Sequence, residues 1–325
     1  MALARVRGPG HPDQACDGVA AAIVEEYVRR DSASRLNIRV AGGQGAMFVA
    51  GEVLSSADFD VSAVVRRTLG ANGVTATLEP FIACEPMAPG WGPLVGAREP
   101  INVIGYATIE TAERVPKSVA LARQAARALE ERRTQDPEWF WLGTDYEVVV
   151  EDGGAAPLIV VRAEHTGAST LSEVRERITH LMQERGIVGE VRVNPAGEEG
   201  RAGLAARMGS SGRAGSADQY GSALPASLSG VGFHPAHPLN VGAWIAQKIA
   251  RELVEVGEAK AALVQATWLP LEARPSFLRI RNERGQDLSS SLDANRFDLS
   301  QPPPTLLTPS SVTQTIRVGF ENQNL

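Results

Sequence analysis

The stretch GHPDQACDG, residues 10 to 18, gathers a histidine and two carboxylates at the mouth of a helical pattern. Asp13 and Asp17 stand one helical turn apart, so their side chains share a face beside His11. Two readings follow from these residues. As a helix start, Gly10 ends a loop, Pro12 takes the first helical position and Asp13 complements the positive end of the helix dipole. As a site, the two carboxylates hold a hard cation through oxygen, with an imidazole next to the reacting atoms. A second histidine pair, His234 and His237 in FHPAHPL, resembles a metal pair only superficially. Pro235 and Pro238 interrupt the spacing and argue against a regular ligand face on a helix.

These groups have to be positioned by elements that the apolar spacing predicts. A helix over 12–30 carries Cys16, Val19, Ile23 and Tyr27 on one stripe, and strand-like runs follow at 37–41 and 46–54. A short helix over 61–69 and a strand over 75–84 lead to a Pro/Gly-rich loop and a strand at 101–111. The grammar then repeats. A helix over 117–132 precedes strands at 146–152 and 156–165, a helix with Leu171, Val174, Ile178 and Leu181 on one face, and a strand at 188–194. After a Gly/Ser/Pro-rich section over 195–238, a third helix carries Ile245, Ile249, Leu253 and Val256, with strands at 261–269 and 276–282. The expected class is α/β (α+β): three similar α/β domains, their sheets covered by helices on one face. Approximate bounds are 1–103, 104–196 and 197–325, with segments interleaved between them.

Composition limits the function. The 325 residues, 43% of them hydrophobic, suffice for several cores, and a net charge of -6 argues against nucleic acid or an anionic membrane as the main partner. Cys16 and Cys84 sit in unrelated contexts, which removes a disulfide scaffold and a thiolate zinc site. No apolar run approaches the ~18 residues of a membrane span, so the cytoplasm is the default location.

The opening motif resembles the G-H-P-D-x-x-C-D of S-adenosylmethionine synthetases (methionine adenosyltransferases), and five further segments follow in that family's order. GEVLSSADFDVSAVVRRTL (51–69) resembles its G-E-[IV]-x-T-x-A-x-x-D segment, and IGYATIET (104–111) its G-Y-A-T-x-E-T strand. VNPAG (193–197) resembles N-P-x-G, SGRAGSADQYGS (211–222) resembles T-G-R-K-x-x-x-D-T-Y-G-G, and FDLSQPPPTLL (297–307) resembles F-D-L-R-P. The likeness covers nearly the whole chain, and the colinearity of six short motifs is more specific than any one of them. It implies three similar domains and a dimer with active sites between subunits. It also implies attack of a methionine sulfur on C5′ of ATP with expulsion of tripolyphosphate, assisted by magnesium and often potassium.

Residue by residue, the resemblance makes His11 the histidine near the transferring centre and Asp13 a magnesium ligand, with Asp17 beside it on the same face. Glu52 falls on the carboxylate that receives the amino acid's ammonium group, Glu99 on an aspartate of the pattern, and Arg213 on the arginine of T-G-R-K. The departures cluster on the phosphate side. The lysine after that arginine is Ala214, and the lysine ahead of the central sheet strand is Asp145. The phosphate-gripping K-D-P-x-K-x-D aligns with Phe233 to Leu239. The potassium-associated glutamate has no equivalent in VAGGQG (40–45), and Cys84 stands for a methionine-contacting glutamine. Independently of any alignment, Gln219 to Gln247 contain no Lys, Arg, Asp or Glu. Backbone N–H groups in such a section offer little net positive charge to a tripolyphosphate. Arg98 and Arg207 are the candidates for relocated positive charge, since the planar fork of arginine takes carboxylate or phosphate.

Three functions are consistent with this pattern. One is a divergent transferase acting at C5′ of an adenosine compound with a remodelled, lysine-poor phosphate site, taking methionine or a related amino acid. Another is a catalytically depleted subunit in a hetero-oligomer with a complete homologue. The last is ordinary S-adenosylmethionine synthesis by a homodimer.

Overall fold

A computed structural model describes residues 2–87, 98–197, 201–224, 227 and 229–300 of the chain. Parts of two segments singled out above, the Pro/Gly-rich loop at 88–97 and FDLSQPPPTLL from 301 onward, lie outside the described residues. The chain begins with strand β1 (Ala2–Arg7), which the sequence reading overlooked, and enters helix α1 (Pro12–Arg30). The apolar stripe of α1 is buried against the hairpin of β2 (Arg35–Gly43) and β3 (Ala46–Leu54), whose alternation turns Leu36, Ile38, Val40, Met47 and Val49 inward. Helix α2 (Val61–Ala71) starts where the Asp60 side chain accepts the Ala63 N–H at 3.1 Å, and returns the chain to β4 (Glu79–Pro86), parallel to β3. Pairing with β3 begins at Ala46 and Glu79, so β4 starts later than the alternation from residue 75 predicts.

The second unit has the same order. Strand β5 (Ile101–Thr108) leads into α3 (Lys117–Gln135), the antiparallel hairpin of β6 (Leu142–Asp152) and β7 (Leu158–His165), helix α4 (Leu171–Glu184) and a parallel strand β8 (Glu190–Val193). Thr170 and Glu173 form a reciprocal capping box at the start of α4. In the third unit β9 (Gly209–Ser210) and the short α5 (Arg213–Asp218) precede α6 (Pro238–Glu255) and the hairpin of β10 (Ala261–Trp268) and β11 (Phe277–Asn282).

The class is mixed α/β, as expected, with three sheets each buried beneath its own helices over a separate core. The sheets do not coincide with the contiguous spans 1–103, 104–196 and 197–325. Strand β1 is an edge of the second sheet (order β1-β6-β7-β8), β5 an edge of the third (β11-β10-β5), and β9 an edge of the first (β4-β3-β2-β9). The strand that precedes each leading helix thus joins the sheet of another unit, and the three exchanges close a ring. Among the described residues no helix is long and apolar enough to cross a membrane.

Candidate active site

Strand β1 delivers the histidine. Its pairing with β6 continues past the strand end, through Gly8 N–H donating to Tyr146 O at 2.7 Å and Gly10 N–H to Thr144 O at 2.9 Å. A side chain at residue 10 would force Thr144 to shift, because a Cβ would lie 2.1 Å from Thr144 Oγ1. His11 then becomes the N-cap of α1, and its Nδ1 accepts the Asp13 N–H at 3.2 Å, which leaves the ring proton on Nε2. The start-signal reading of GHPD is therefore correct in detail. Burial first, and then the Arg7 guanidinium, push the His11 pKa down to about 3 against the opposing pull of Asp145. His11 is a neutral hydrogen-bond donor at neutral pH.

Beside it the sheet presents a charged face. Tyr146, Val148 and Val150 of β6 point into the core under α3. The alternate position, Glu147, lies in register with Arg7 on one side and Arg162 on the other, an Arg–Glu–Arg row across three strands. Arg7 Nη1 also reaches Asp218 Oδ2 at 2.8 Å. Burial pushes the pKa of Asp218 up to about 7, although Arg7 and Arg5 oppose it. At the edge of this row Asp145, 1% exposed, accepts from Arg162 Nη2 at 2.6 Å, Arg207 Nη2 at 2.5 Å and Gly203 N–H at 2.6 Å. Burial pushes its carboxyl pKa up, but these donors outweigh that and hold it below the usual carboxylate range. Arg7, Arg162 and Asp218 escaped the sequence reading. The alternation of Ala4 and Val6 with Arg5 and Arg7 was the available signal for a strand with two arginines on one face.

Asp13 and Asp17 do share a face, and what that face grips is backbone. Asp13 Oδ1 accepts the Ser210 N–H at 3.1 Å, and Asp17 Oδ1 the Gly212 N–H at 2.5 Å, with Gly215 N–H adding a second bond to Asp17. The segment lies so close that a Cβ on Gly209 would meet Pro12 C at 2.1 Å. Burial pushes the Asp17 pKa up to about 6 against these two bonds. Magnesium, implied by the resemblance, needs oxygen ligands in octahedral array, with most of them from water or substrate phosphate. Among the described residues no three His, Cys, Asp or Glu groups stand close enough to hold a metal ion, and Asp13 Oδ2 already faces Arg213 Nε at 3.8 Å. The donor set does not fit a metal held by this chain alone.

The other candidates are spread more widely. Glu52 lies on the outer face of its sheet, in register with Asn37 of β2 and Glu85 of β4. Arg98 and Glu99 are exposed in the bend that precedes β5, and Arg213 is exposed at the first position of α5. Arg207 is not available charge, because it is bonded to Asp145. His237 caps α6 as His11 caps α1, its Nδ1 accepting Leu239 N–H at 3.2 Å, and its ring stacks on Phe233 at 4.2 Å with Arg39 over the other side of Phe233 at 4.4 Å. The neutral section covers the free edge of β5. Ser227 Oγ accepts Ile104 N–H at 2.7 Å, and the Gln247 amide exchanges hydrogen bonds with both backbone groups of Tyr106.

Comparison with known proteins shows what the chain is similar to. Residues 4–84 match the model of the S-adenosylmethionine synthetase N-terminal domain. An S-adenosylmethionine synthase of Thermus thermophilus is 28% identical over 313 residues, covering 83% of this chain and 79% of that protein. Synthases of two Synechococcus strains, WH7803 and RCC307, are 29% and 27% identical, covering 82% and 89% of this chain and 75% and 84% of theirs. The chain is similar to S-adenosylmethionine synthases over most of its length. Against the synthetase pattern, the departures acquire a physical form. Where the family pattern has a lysine, Asp145 is a buried anion closed by two arginines, one of which, Arg207, falls near an aspartate of that pattern. The lysines of K-D-P-x-K-x-D align with Phe233 and His237, which here are stacked on each other. Burial, then Arg39 and His234, push the His237 pKa down to about 4, so this ring does not replace a lysine's charge at neutral pH.

Proposed function

We propose that the chain is a transferase acting at C5′ of an adenosine compound whose leaving group carries less charge than tripolyphosphate. In the displacement a sulfur lone pair of methionine or a related amino acid forms the new bond to C5′, while the pair of the breaking bond departs with the leaving group. The observation that carries this reading is Asp145, a buried carboxylate within electrostatic reach of His11 and bonded to the nearest arginines. Asp145 engages both Arg162 and Arg207, so among the described residues neither of these guanidinium groups is left over to absorb the charge of a polyphosphate leaving group. Neutral His11 retains an Nε2–H, a donor suited to a weakly charged group, and Glu52 retains a carboxylate for an ammonium group. Magnesium enters this scheme only with a substrate that brings its own ligands.

A second reading, a partner subunit of a complete homologue, is compatible with one observation. Phe48 and Phe81 are stacked on the outer sheet face while 51% and 50% exposed, the kind of apolar surface that association covers. The same face serves a homodimer in the first reading.

Activity and binding distinguish charge preference from ordinary synthesis. Incubated with methionine, ATP, magnesium and potassium, the purified chain is expected to form little or no S-adenosylmethionine. Calorimetry across ATP, AMP and 5′-methylthioadenosine is expected to show affinity rising as charge falls, and Asp145→Lys to reverse that order. Turnover near the enzyme-typical ~10 s⁻¹ with ATP, or ATP binding tightest in the unaltered chain, overturns the reading.

A further inference from the structure

The carboxylates of the charged face are not equally satisfied. Asp145 has both oxygens filled, Oδ1 by Arg162 Nη2 at 2.6 Å, and Oδ2 by Arg207 Nη2 at 2.5 Å and the Gly203 N–H at 2.6 Å. Asp218, at the end of α5, gives Oδ2 to Arg7 Nη1 at 2.8 Å, while its Oδ1 is shut off from solvent with no hydrogen-bond partner. An ionised carboxylate is an acceptor only, so a buried oxygen without a donor raises the cost of its charge and favours the protonated acid. Burial pushes the Asp218 pKa up to about 7 against the pull of Arg7 and Arg5.

Arg7 depends on that carboxylate for its counter-charge. Its side chain is 5% exposed, and its second acidic neighbour is shared: Glu147 Oε1 lies 3.2 Å from Arg5 Nε and 3.6 Å from Arg7 Nε, and Oε2 lies 3.8 Å from Arg162 Nε. Arg7 Nε makes no hydrogen bond there, and the closer acid is Asp218. The backbone from Arg7 to His11 is pinned by Gly8 N–H on Tyr146 O at 2.7 Å and Gly10 N–H on Thr144 O at 2.9 Å, and His11 N–H turns back on Gly8 O at 3.0 Å. Of the charges that act on His11, that of Arg7 is the strongest. Helix α5 packs against β1, α1 and the turn at 221–223. The groups that face Asp218 are Arg5 and Arg7 of β1, Glu147 of β6 and Asp13 of α1, and the turn, GSA, brings no titratable side chain.

We propose that Asp218 sets the ligand charge that this site accepts: ionised, it neutralises Arg7 and the site favours an uncharged group at C5′, and protonated, it leaves Arg7 as a cation for an anionic one. Asp218 acts through Arg7, as a positioning residue that does not touch the ligand. The inference rests on the proposed reading of the site as one for adenosine compounds. Calorimetry on the full-length chain tests it with uncharged 5′-methylthioadenosine and with adenosine 5′-sulfate, whose single negative charge is constant between about pH 6.5 and about pH 8.5. Asp218 takes up its proton as the pH falls through about 7, so the anion gains on acidification. Wild type is expected to bind the sulfate at least about fivefold more tightly at the lower pH, with the methylthio compound unchanged. Asp218→Asn, isosteric with the protonated acid, is expected to bind the sulfate at both pH values as tightly as wild type does at the lower one. Asp218→Ala removes the same charge and carries the test if the asparagine variant does not fold. A sulfate affinity that ignores either the pH or the substitution overturns the proposal, as does an equal gain for the methylthio compound, which reports rearrangement and not charge. If neither compound binds, the reading of the site fails and takes this inference with it; if both bind without the shift in charge preference, the inference alone fails.

Discussion

Asp145 concentrates the electrostatics of the site in one carboxylate. Its side chain is 1% exposed, while Arg162 and Arg207 are 18% and 42% exposed, so the three groups do not contribute equally. Removing the anion leaves two guanidinium groups facing each other at a buried point. Asp145→Asn is therefore expected to cost roughly 3–5 kcal/mol in urea unfolding, the range for breaking a buried pair from one side. Arg207→Ala, at the open end, is expected to cost about 1 kcal/mol or less. Equal losses for the two variants would show that the exposed arginine is as integral as the buried acid. At this scale the sequence announced only what is local. The cap formed by His11 and Pro12 is legible because its partners lie within two residues. The role of Asp145 is not, because its partners stand 17, 58 and 62 residues away on segments whose register no short pattern encodes. For the same reason the pairing of Asp13 and Asp17 on one face was readable, and the backbone 195 or more residues away that they hold was not.

The elements were more legible than the contacts between them. The helices over 12–30, 61–69 and 117–132 and the hairpins of all three units follow from apolar period, since one buried face leaves a repeat of 3.6 or 2 in the residues. Strand β1 was missed because ALARVR offers only two core residues among charges, and β9 with α5 because a Gly/Ser-rich run carries no period at all. Both missed pieces belong to the site. What fixes the entry of α1 is the fit of Gly10 against Thr144, where an added Cβ meets Oγ1 at 2.1 Å and the Thr144 Cβ at 2.7 Å. Gly10→Ala is expected to cost about 1–3 kcal/mol, as overpacking does, and to lower turnover of the true substrate by displacing His11. Thr144→Ala, which removes the Oγ1 but not the Cβ, is expected to restore part of the stability. A Gly10→Ala chain with unchanged unfolding midpoint and turnover would mean that the approach of β1 to β6 is not what sets the histidine.

Over the whole molecule the governing feature is the exchange of edge strands. Each sheet is completed by a strand from the run ahead of another unit's helix, so damage to one sheet is carried to a second unit through the same few residues. Val6 of β1 is buried in the second core, and β1 continues directly into α1 over the first. Val6→Asp, an unpaired charge in an apolar core, is expected to remove at least about 3 kcal/mol. By hydrogen exchange, amides of β2, β6 and β10 are expected to lose protection together. Loss confined to β6 and β7 would show the units to be independent.

The exchange also has a consequence for synthesis on the ribosome. Arg7 pairs with Glu147, made roughly 140 residues after it, which at about 5–20 residues per second is a wait on the order of ten seconds. During that interval α1 and its hairpin can collapse, but β1 has no sheet to join and β9, the edge of their own sheet, is not yet made. The nascent chain therefore carries open strand edges until β6 and then β9 have been made, and its yield in a cell is set by how well those edges are shielded in the meantime.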